Sequence, residues 1–549
     1  MNRRTVSWTI LPLLAALAAP VLASDDGPVI GLIVKTKPAA LEAPQAALNR
    51  VAQIAQRRGV GYHQLRQTAL GAHVLSAGRL LSREEAQAQA RRLLADPDVE
   101  YVAANTLERR QATPNDPAYV LQWWLQGPDA SAAVPNFPAA WDINTGSSSV
   151  VVAVLDSGIR RFHPEFTVGS SRLLSGYDFV SEVEYANDGD GLDSDATDPG
   201  DWVSQEDQTR HPSIYGGCDV ADSTWHGTVI AGQLVAPTND NYGISGMTWS
   251  GKLLPVRVAG KCGAAVSDIV EGMLWAAGIP YTGSPAANPN PARIVNLSFG
   301  GSRPCNVNSG DPLVAGTARL YTDAIEALRV KGAVLVAAAG NDGDTVVRPA
   351  RCAGALAVTA LDRDGAKADY ANFGSEVDVA TVGGVTSPAG SGIYSTTNTG
   401  TSAPAAEGYG YYVGTSFATP IVSGTAALML AVNPDLSVDQ IIEGIRATTR
   451  PHVQIGGLGS CSPIDSGHCN CTTGTCGAGV LDARQAVAWA LVTEGTFTPP
   501  ATNPTVDFTP DRLQASGGNG SSDGGGAAGP FWLLGLLAAA AALSVRRRR

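Results

Sequence analysis

The sequence predicts an α/β protein with a mainly parallel central sheet covered by helices on both faces, preceded by a small α+β unit. Short runs such as "SVVVAVLDSG", "KLLPVRV", "ARIVNLSFGG" and "AVLVAAAGNDG" alternate with helical segments across residues 112–492. Each run has a mostly apolar centre and ends in a small or polar cluster, which is typical of parallel strands buried on both faces. The 549 residues include 44% hydrophobic and 16% charged residues, a composition typical of globular domains.

Two segments precede the predicted sheet. Residues 1–23 have two arginines, an apolar run and a small-residue end, the pattern of a secretory signal peptide. Residues 24–111 are predicted to form the small α+β unit, with strands at "PVIGLIVKTK" and "VEYVAAN". A helix is expected over 82–94, because a capping serine and early acidic residues are followed by late arginines. Arg109-Arg110, near the end of this unit, is the predicted processing site.

The C-terminal part has a different composition. Residues 493–526 are rich in Pro, Gly, Ser and Thr and are predicted to be a flexible linker. Residues 527–549 contain about 19 largely apolar residues followed by four arginines. This length suffices for a marginal membrane span with its arginines on the cytoplasmic side.

The charge and the cysteine content argue against some classes of function. Residues 24–111 carry 12 basic and 9 acidic side chains, whereas residues 112–545 carry 20 basic and 41 acidic ones. Such an acidic body argues against nucleic acid as a partner and suits cation binding. All eight cysteines lie between Cys218 and Cys476, and an even number in an exported chain favours disulfides over thiol chemistry.

Four side chains together suggest acyl transfer. Asp156 ends an apolar strand, His226 and Ser416 each begin an apolar helical run, and Asn341 follows another strand. Taken singly, the aspartate suits a turn, and the histidine and serine suit helix caps. Together they provide a nucleophilic hydroxyl, a base to take its proton and a carboxylate to orient that base. Asn341 can supply an amide donor to the resulting oxyanion, beside the N–H of Ser416.

The motifs "AVLDSGI", "HGTVIAG", "NLSFGG", "AAAGNDG" and "GTSFATPIVSG" resemble those of the subtilisin-like serine proteases, the subtilases. The resemblance spans about 380 residues, and the order Asp, His, Ser matches that of subtilisin. It implies a subtilisin-like fold and a serine endopeptidase with Asp156, His226 and Ser416 as the triad and Asn341 as oxyanion donor. It also implies that residues 24–111 form a ferredoxin-like propeptide, which assists folding, inhibits the enzyme and is removed autocatalytically.

The same resemblance implies where substrate binds. A protein or peptide substrate is expected to lie as an extended strand between two segments of the chain, Cys262, Gly263 and Ala264 on one side and Ser298, Phe299 and Gly300 on the other. Selectivity is expected to depend on a pocket beneath Ala339, Gly340 and Asn341. A monomer is expected. Phe417 departs from the family pattern, in which methionine usually follows the nucleophile.

Calcium is the expected metal, at two places. The acidic insertion between Asp156 and His226 offers many carboxylate oxygens, although its spacing is not that of an EF-hand and a solvated loop is the alternative. Its candidate ligands are Asp188, Asp190, Asp193, Asp195 and Asp198. The second set, Asp116, Glu165 and Asp240, is implied by the resemblance to subtilases of the thermitase type.

The resemblance also implies two disulfides, Cys218–Cys262 and Cys305–Cys352. The remaining cysteines, Cys461, Cys469, Cys471 and Cys476, allow three pairings, and the sequence does not choose among them. A zinc site that includes His468 is a minor alternative, because the spacing matches no standard zinc pattern.

The tail, residues 527–549, has two interpretations. It is either a permanent inner-membrane anchor or a GlyGly-type sorting signal, which it resembles and which a rhomboid-like protease is thought to cut. We favour the second, and expect a secreted or surface protein of a Gram-negative bacterium that passes through the periplasm. The rival function is that of an inactive binding protein on a protease scaffold, yet no triad residue is missing. A lipase is disfavoured, because the one G-x-S-x-G match, "GSSDG", lies in the linker.

Overall fold

The computed structural model describes residues 29–37, 44–106, 113–128, 131–167, 172–491 and 505–506. The chain divides into two compact units, residues 1–110 and 111–549. The predicted signal peptide, the Arg109-Arg110 site and the tail at 527–549 lie outside the described residues. So does most of the predicted linker, of which only 505–506 are described.

The first unit consists of a four-stranded antiparallel sheet and two helices. Its elements are β1 Val29–Thr36, α1 Pro44–Arg57, β2 Gln64–Gln67, β3 His73–Leu81, α2 Arg83–Leu94 and β4 Val99–Thr106. The strand order is β2-β3-β1-β4, so the chain follows a β-α-β-β-α-β path. The two predicted strands and the predicted helix are confirmed, and Ser82 caps α2 by accepting the Glu85 N–H at 3.1 Å.

The second unit begins with two short 3₁₀ turns, Tyr119–Leu121 and Trp123–Leu125. Its helices are α3 Phe137–Trp141, α4 Pro164–Thr167, α5 Val183–Ala186, α6 Gln205–Arg210, α7 Pro212–Tyr215, α8 His226–Val235, α9 Val266–Ala276, α10 Pro312–Lys331, α11 Thr415–Val432, α12 Val438–Ala447 and α13 Ala483–Ala490. Its strands are β5 Val151–Asp156, β6 Tyr177–Asp178, β7 Lys252–Arg257, β8 Ala259–Gly260, β9 Gly263–Ala264, β10 Ile294–Leu297, β11 Val334–Ala338, β12 Leu356–Leu361, β13 Val379–Val382, β14 Ile393–Asn398, β15 Glu407–Tyr412, β16 Gln454–Ile455 and β17 Thr505–Val506.

A seven-stranded parallel sheet organises this unit, in the order β13-β12-β11-β10-β5-β7-β6. Alternate residues of β5 enter different cores: Val152 and Val154 pack with α8 and α11, whereas Ala153 and Leu155 pack with α9 and α10. Helices therefore cover both faces, as predicted. The carboxyl ends of β5, β10 and β11 are neighbours, and a parallel α/β sheet binds its ligands at that edge.

Helix α11 crosses this unit beneath β10, β11, β12 and β13 and forms part of its core. Among the described residues it is the one helix long and apolar enough to span a membrane. Since 89% of that stretch is buried inside the protein, its composition is that of a core helix.

Candidate active site

Asp156, His226 and Ser416 are placed by the ends of three elements. Asp156 is the last residue of β5, His226 is the first residue of α8, and Ser416 is the second residue of α11. A strand end and two helix starts bring polar groups to the edge of an otherwise apolar core. There the backbone N–H groups of a helix's first turn lack partners within the helix.

The aspartate and the histidine form a direct pair. His226 Nδ1 lies 2.9 Å from Asp156 Oδ1 and 3.0 Å from Oδ2. Asp156 is fully buried and also accepts the Ser157 N–H at 2.8 Å. Because an ionised carboxylate only accepts hydrogen bonds, the proton of neutral His226 must lie on Nδ1. Nε2 then carries the lone pair that a general base needs.

The electrostatic surroundings of His226 favour its protonated form. Burial lowers the pKa of the imidazole, but the neighbouring Asp156 carboxylate, and then Asp201 and Asp198, raise it, and the net result lies above 6.5. The side chain keeps 17% of its surface exposed, so a substrate can reach the ring.

Two aromatic rings pack against His226. The Phe299 ring lies edge-on at 5.3 Å between centroids, and the Phe417 ring is tilted at 5.1 Å. Phe417, the departure from the family pattern, therefore forms one wall of the imidazole site. Such contacts fix the ring plane and keep water away from it.

Ser416 does not cap its helix. The N-cap residue of α11 is Gly414, and no side chain caps this end. Instead, Ser416 Oγ donates to the Ser298 carbonyl oxygen at 3.2 Å, and Ser298 Oγ donates to the Ser416 carbonyl oxygen at 2.9 Å. Among the described residues the serine hydroxyl thus bonds to Ser298 rather than to His226, although the adjacent Phe417 touches the imidazole. Catalytic hydrogen bonds are often formed only when substrate is bound.

The amide of Asn341 has a defined orientation. Its Oδ1 accepts the Thr415 N–H at 2.9 Å and the Thr415 hydroxyl at 2.8 Å. A backbone N–H can only donate, so the atom that faces Thr415 must be the oxygen. Nδ2 is then left to donate elsewhere, and the side chain is exposed. This is the arrangement that an oxyanion donor requires.

The segments predicted to line the substrate follow strands of the sheet. Cys262 forms the turn of the β8–β9 hairpin, and Gly263 and Ala264 are its second strand. The other segments, Ser298–Phe299–Gly300 and Ala339–Gly340, come directly after β10 and β11. A Cβ at Gly300 would lie 2.5 Å from the Arg348 carbonyl oxygen, so the close approach of Gly300 to the backbone of Arg348 requires glycine.

The carboxylates of Asp116, Glu165 and Asp240 fit a cation. Asp116 accepts the Asn239 and Asp240 N–H groups at 3.1 and 3.2 Å. Glu165 Oε1 accepts from Ile244 N–H and the Tyr409 hydroxyl, whereas the buried Oε2 has no partner among the described residues. Burial, with the charge of Asp240, raises the pKa of Asp116 to about 6, and burial raises that of Glu165 to about 7.

The oxygens of these three carboxylates are not all within 4.8 Å of one another. In the described part of the chain, the one group of three possible metal ligands that are this close is Cys461, Cys471 and Cys476. Ligands on opposite sides of Ca²⁺ lie about 5 Å apart, because each Ca–O distance is about 2.3–2.6 Å. A spacing slightly above 4.8 Å between two of these carboxylates would therefore still admit one ion. A partnerless buried carboxylate oxygen beside charges of the same sign suits a hard cation.

The acidic insertion does not gather its carboxylates into one site. Asp188 forms an ion pair with Arg257, which is buried and also pairs with Asp178. Asp190, Asp193 and Asp195 are exposed or half-buried. Asp188 was predicted as a ligand because the sequence does not show that a distant arginine neutralises it.

Asp198, also predicted as a metal ligand, supports the catalytic turn instead. It is fully buried, and its two oxygens accept the Ser157 hydroxyl at 2.7 Å and the Gly200 N–H at 2.8 Å. The Ser157 hydroxyl in turn accepts the Gly227 N–H at 3.2 Å. The insertion thus connects the residue after Asp156 with the residue after His226, and the five predicted ligands do not form a single calcium site.

All the cysteines are paired. Cys218–Cys262 and Cys305–Cys352 confirm the two predicted disulfides. The remaining four form Cys461–Cys469 and Cys471–Cys476. No free thiol is found in the described residues, so the zinc alternative lacks its sulfur ligands. His468 Nε2 instead lies 2.6 Å from Asp362 Oδ2.

Three supporting residues were not predicted. Ser157 and Thr415 each adjoin a predicted catalytic residue, and a hydroxyl beside Asp156 or Ser416 was the available signal. Asn372, which bonds to the loop after β11, gives no such signal, because it lies in the separate segment "YANFG". Its role is visible only once β11 and β12 are placed side by side.

Comparison with known proteins agrees with this geometry. The model of the subtilase family, peptidase S8, matches residues 147–475. An extracellular protease of Xanthomonas campestris pv. campestris is 36% identical over 463 residues, which cover 84% of this chain and 71% of that protein. An extracellular basic protease of Dichelobacter nodosus is 36% identical over 369 residues, which cover 67% of this chain but only 56% of that protein.

A solved structure leads to the same family. A protease from Pseudoalteromonas arctica is 40% identical, and the match covers 69% of this chain and all of the solved one with a TM-score of 0.59. The predicted subtilisin-like fold with a mainly parallel central sheet is thereby confirmed. The chain belongs to the subtilase family of serine proteases.

Proposed function

We propose that this chain is a secreted serine endopeptidase that hydrolyses peptide bonds through an acyl-enzyme on Ser416. The observation that carries the proposal is the buried Asp156–His226 pair, which fixes the proton on Nδ1 and leaves Nε2 as base. The rival is an inactive subtilase-fold binding protein. It is disfavoured because all three triad side chains and Asn341 are present at the same edge of the sheet.

The reaction follows from this arrangement. His226 Nε2 takes the proton of Ser416 as Oγ forms a bond to the substrate carbonyl carbon, and the carbonyl oxygen becomes an oxyanion. Asn341 Nδ2 and the Ser416 N–H donate to that oxyanion. The imidazolium gives its proton to the leaving amine as the C–N bond breaks, and water activated by His226 then hydrolyses the ester.

We infer that the substrate binds as an extended strand between the segments around Gly263 and Gly300. Backbone hydrogen bonds of this kind tolerate many side chains, so selectivity would come from the pocket bounded by Ala339 and Gly340. The exposure of Gly300 and the partial exposure of Gly263 and Gly340 support this placement.

We also propose one structural calcium ion, held by Asp116, Glu165 and Asp240 with main-chain oxygens of their loops. Bound there, the ion would supply positive charge to three carboxylates that otherwise repel one another. Its role would be stability, since it takes no part in the chemistry described above.

Residues 24–111 would serve as a propeptide that inhibits the enzyme until it is removed. Their excess of basic residues, opposite in sign to the rest of the chain, supports such an interaction. Relatives named as extracellular proteases support secretion. Periplasmic passage, transient membrane anchoring through 527–549 and release by a rhomboid-like protease follow from the signal-like N-terminus and the tail composition.

The test compares full-length wild type, Ser416→Ala and Ser375→Ala. Ser375 is an exposed serine outside the proposed site and serves as the matched control. We expect wild type and the control to be cleaved near residue 110 and to digest casein, whereas Ser416→Ala stays an uncleaved, inactive precursor. A Ser416→Ala protein that processes itself and digests casein would rule out the proposed nucleophile.

A further inference from the structure

The loop that carries Asn341 is bound along one side by the segment 370–373. The Asn372 N–H donates to the Gly340 carbonyl oxygen at 3.0 Å, and the Gly343 N–H donates to the Tyr370 carbonyl oxygen at 2.7 Å. Phe373 N–H closes the far end by donating to the Asp344 carbonyl oxygen at 2.9 Å. The backbone on both sides of Asn341 is thus fixed to a second segment.

The side chain of Asn372 adds further hydrogen bonds between the two segments. It is fully buried, and its Oδ1 accepts the Asp342 N–H at 2.8 Å and the Asp344 N–H at 3.0 Å. A Cβ at Gly340, where φ is +110°, would lie 2.3 Å from Asn372 Nδ2. The amide therefore packs directly under the residue before Asn341, and that close contact requires glycine there.

We propose that Asn372 is a positioning residue for the oxyanion donor Asn341. Asn341 has two neighbours in the chain, Gly340 and Asp342, and Asn372 bonds to both of them. The second restraint is Thr415, which holds Oδ1 of Asn341 from the side of the nucleophile. This inference rests on the proposed function, in which Nδ2 of Asn341 meets the developing oxyanion.

The segment 368–371 is itself held by a buried cation. Lys367 is fully buried, and its Nζ donates to the Ala368 and Ala371 carbonyl oxygens at 2.8 and 2.7 Å. These bonds fix the main chain immediately before Asn372. The loop that carries Asn341 is therefore bonded to a segment that is itself fixed by hydrogen bonds.

Two consequences distinguish positioning from simple packing. A donor helps catalysis only if it is aimed at the site of the developing charge, so a displaced Asn341 lowers kcat and leaves KM nearly unchanged. In addition, an effect that passes through Asn341 disappears when the Asn341 amide is absent. A merely structural role would instead lower activity in either background.

The experiment is a double-mutant cycle in the full chain, using Asn341→Ala, Asn372→Leu and both together. Leucine removes the side-chain oxygen that accepts both N–H groups, at similar volume. We expect Asn372→Leu to lower kcat by about 10-fold to 100-fold with KM within about twofold. Asn372→Leu should add less than about threefold to the loss in Asn341→Ala.

Thr381→Val is the matched control, because Thr381 is a buried residue on β13 whose hydroxyl has no partner among the described residues. Thermal unfolding is measured for every variant. If Asn372→Leu does not fold, Asn372→Ala replaces it in the double-mutant cycle. If the losses of kcat multiply in the double mutant, or if KM rises in parallel, the positioning role of Asn372 is wrong. The proposed function of Asn341 is unaffected by that result. If Asn341→Ala keeps wild-type kcat, the proposed oxyanion role fails together with the positioning role.

Discussion

At the scale of the residue, His226 is restrained on three sides. Asp156 holds Nδ1, and the rings of Phe299 and Phe417 pack against the imidazole. The carboxylates of Asp201 and Asp198 also raise the pKa of the His226 imidazole. The base is therefore oriented by one hydrogen bond, and its charged form is stabilised by several carboxylates.

This arrangement predicts the pH dependence of catalysis. His226 must be neutral to accept the serine proton, and its pKa is raised, so kcat/KM should increase with pH through a midpoint above 6.5. Asp156→Asn removes the nearest charge and the hydrogen bond that fixes the tautomer. We expect kcat to fall by about 10⁴-fold and the residual activity to titrate at lower pH than wild type.

The control for this profile is Asp362→Asn, which alters another Asp–His pair, Asp362 with His468, outside the proposed site. It should leave the midpoint in place. An Asp156→Asn enzyme with wild-type kcat and an unchanged midpoint would show that Asp156 does not act on His226.

At the scale of the element, strand ends and helix starts were the predictable part of the site. The runs that became β5, β10 and β11 are mostly apolar, so the residues that end or follow them were correctly placed at one edge of the sheet. The acidic insertion was not predictable in the same way. Its partners, Arg257 and Ser157, lie in other segments, and the sequence alone shows neither pairing.

One calcium ion, as proposed, would connect the loops that carry Asp116, Glu165 and Asp240. We expect chelation to lower the melting temperature of the wild-type protein. The stabilisation lost is about 2.7 kcal/mol when free calcium stands 100-fold above Kd. Glu165→Gln should show a much smaller difference between calcium and chelator.

Asp323→Asn is the matched control, because it removes one negative charge from an exposed position on α10. It should respond to chelation like wild type. Identical melting curves for the wild-type protein with calcium and with chelator would remove the calcium proposal.

At the scale of the whole molecule, contacts between distant segments were the least predictable feature. The division into a small α+β unit and a large α/β unit follows from composition and from apolar runs, and the compact units divide at residues 110 and 111. Two disulfides were expected from family resemblance, but the pairing of Cys461 and its three neighbours was not. Close spacing leaves several pairings sterically open, and only the folded chain selects one.

The residues that hold Asn341 in place were likewise not predictable from the sequence. Asn341 itself lies in a recognisable motif, whereas Asn372 reaches it only because β11 and β12 are neighbours in the sheet. Long-range hydrogen bonds to backbone groups leave no pattern in a single sequence. The chemistry was thus predictable residue by residue, and the support that aims it was not.

The central claim is that Ser416 is a nucleophile activated by His226. Its most direct test is to treat the active protein with a serine-directed phosphonate and to locate the label by mass spectrometry. We predict a single adduct on the peptide that contains Ser416, loss of activity in proportion to labelling, and a labelling rate that rises with pH along with kcat/KM. An adduct on another residue, or full activity with Ser416 labelled, would contradict this account.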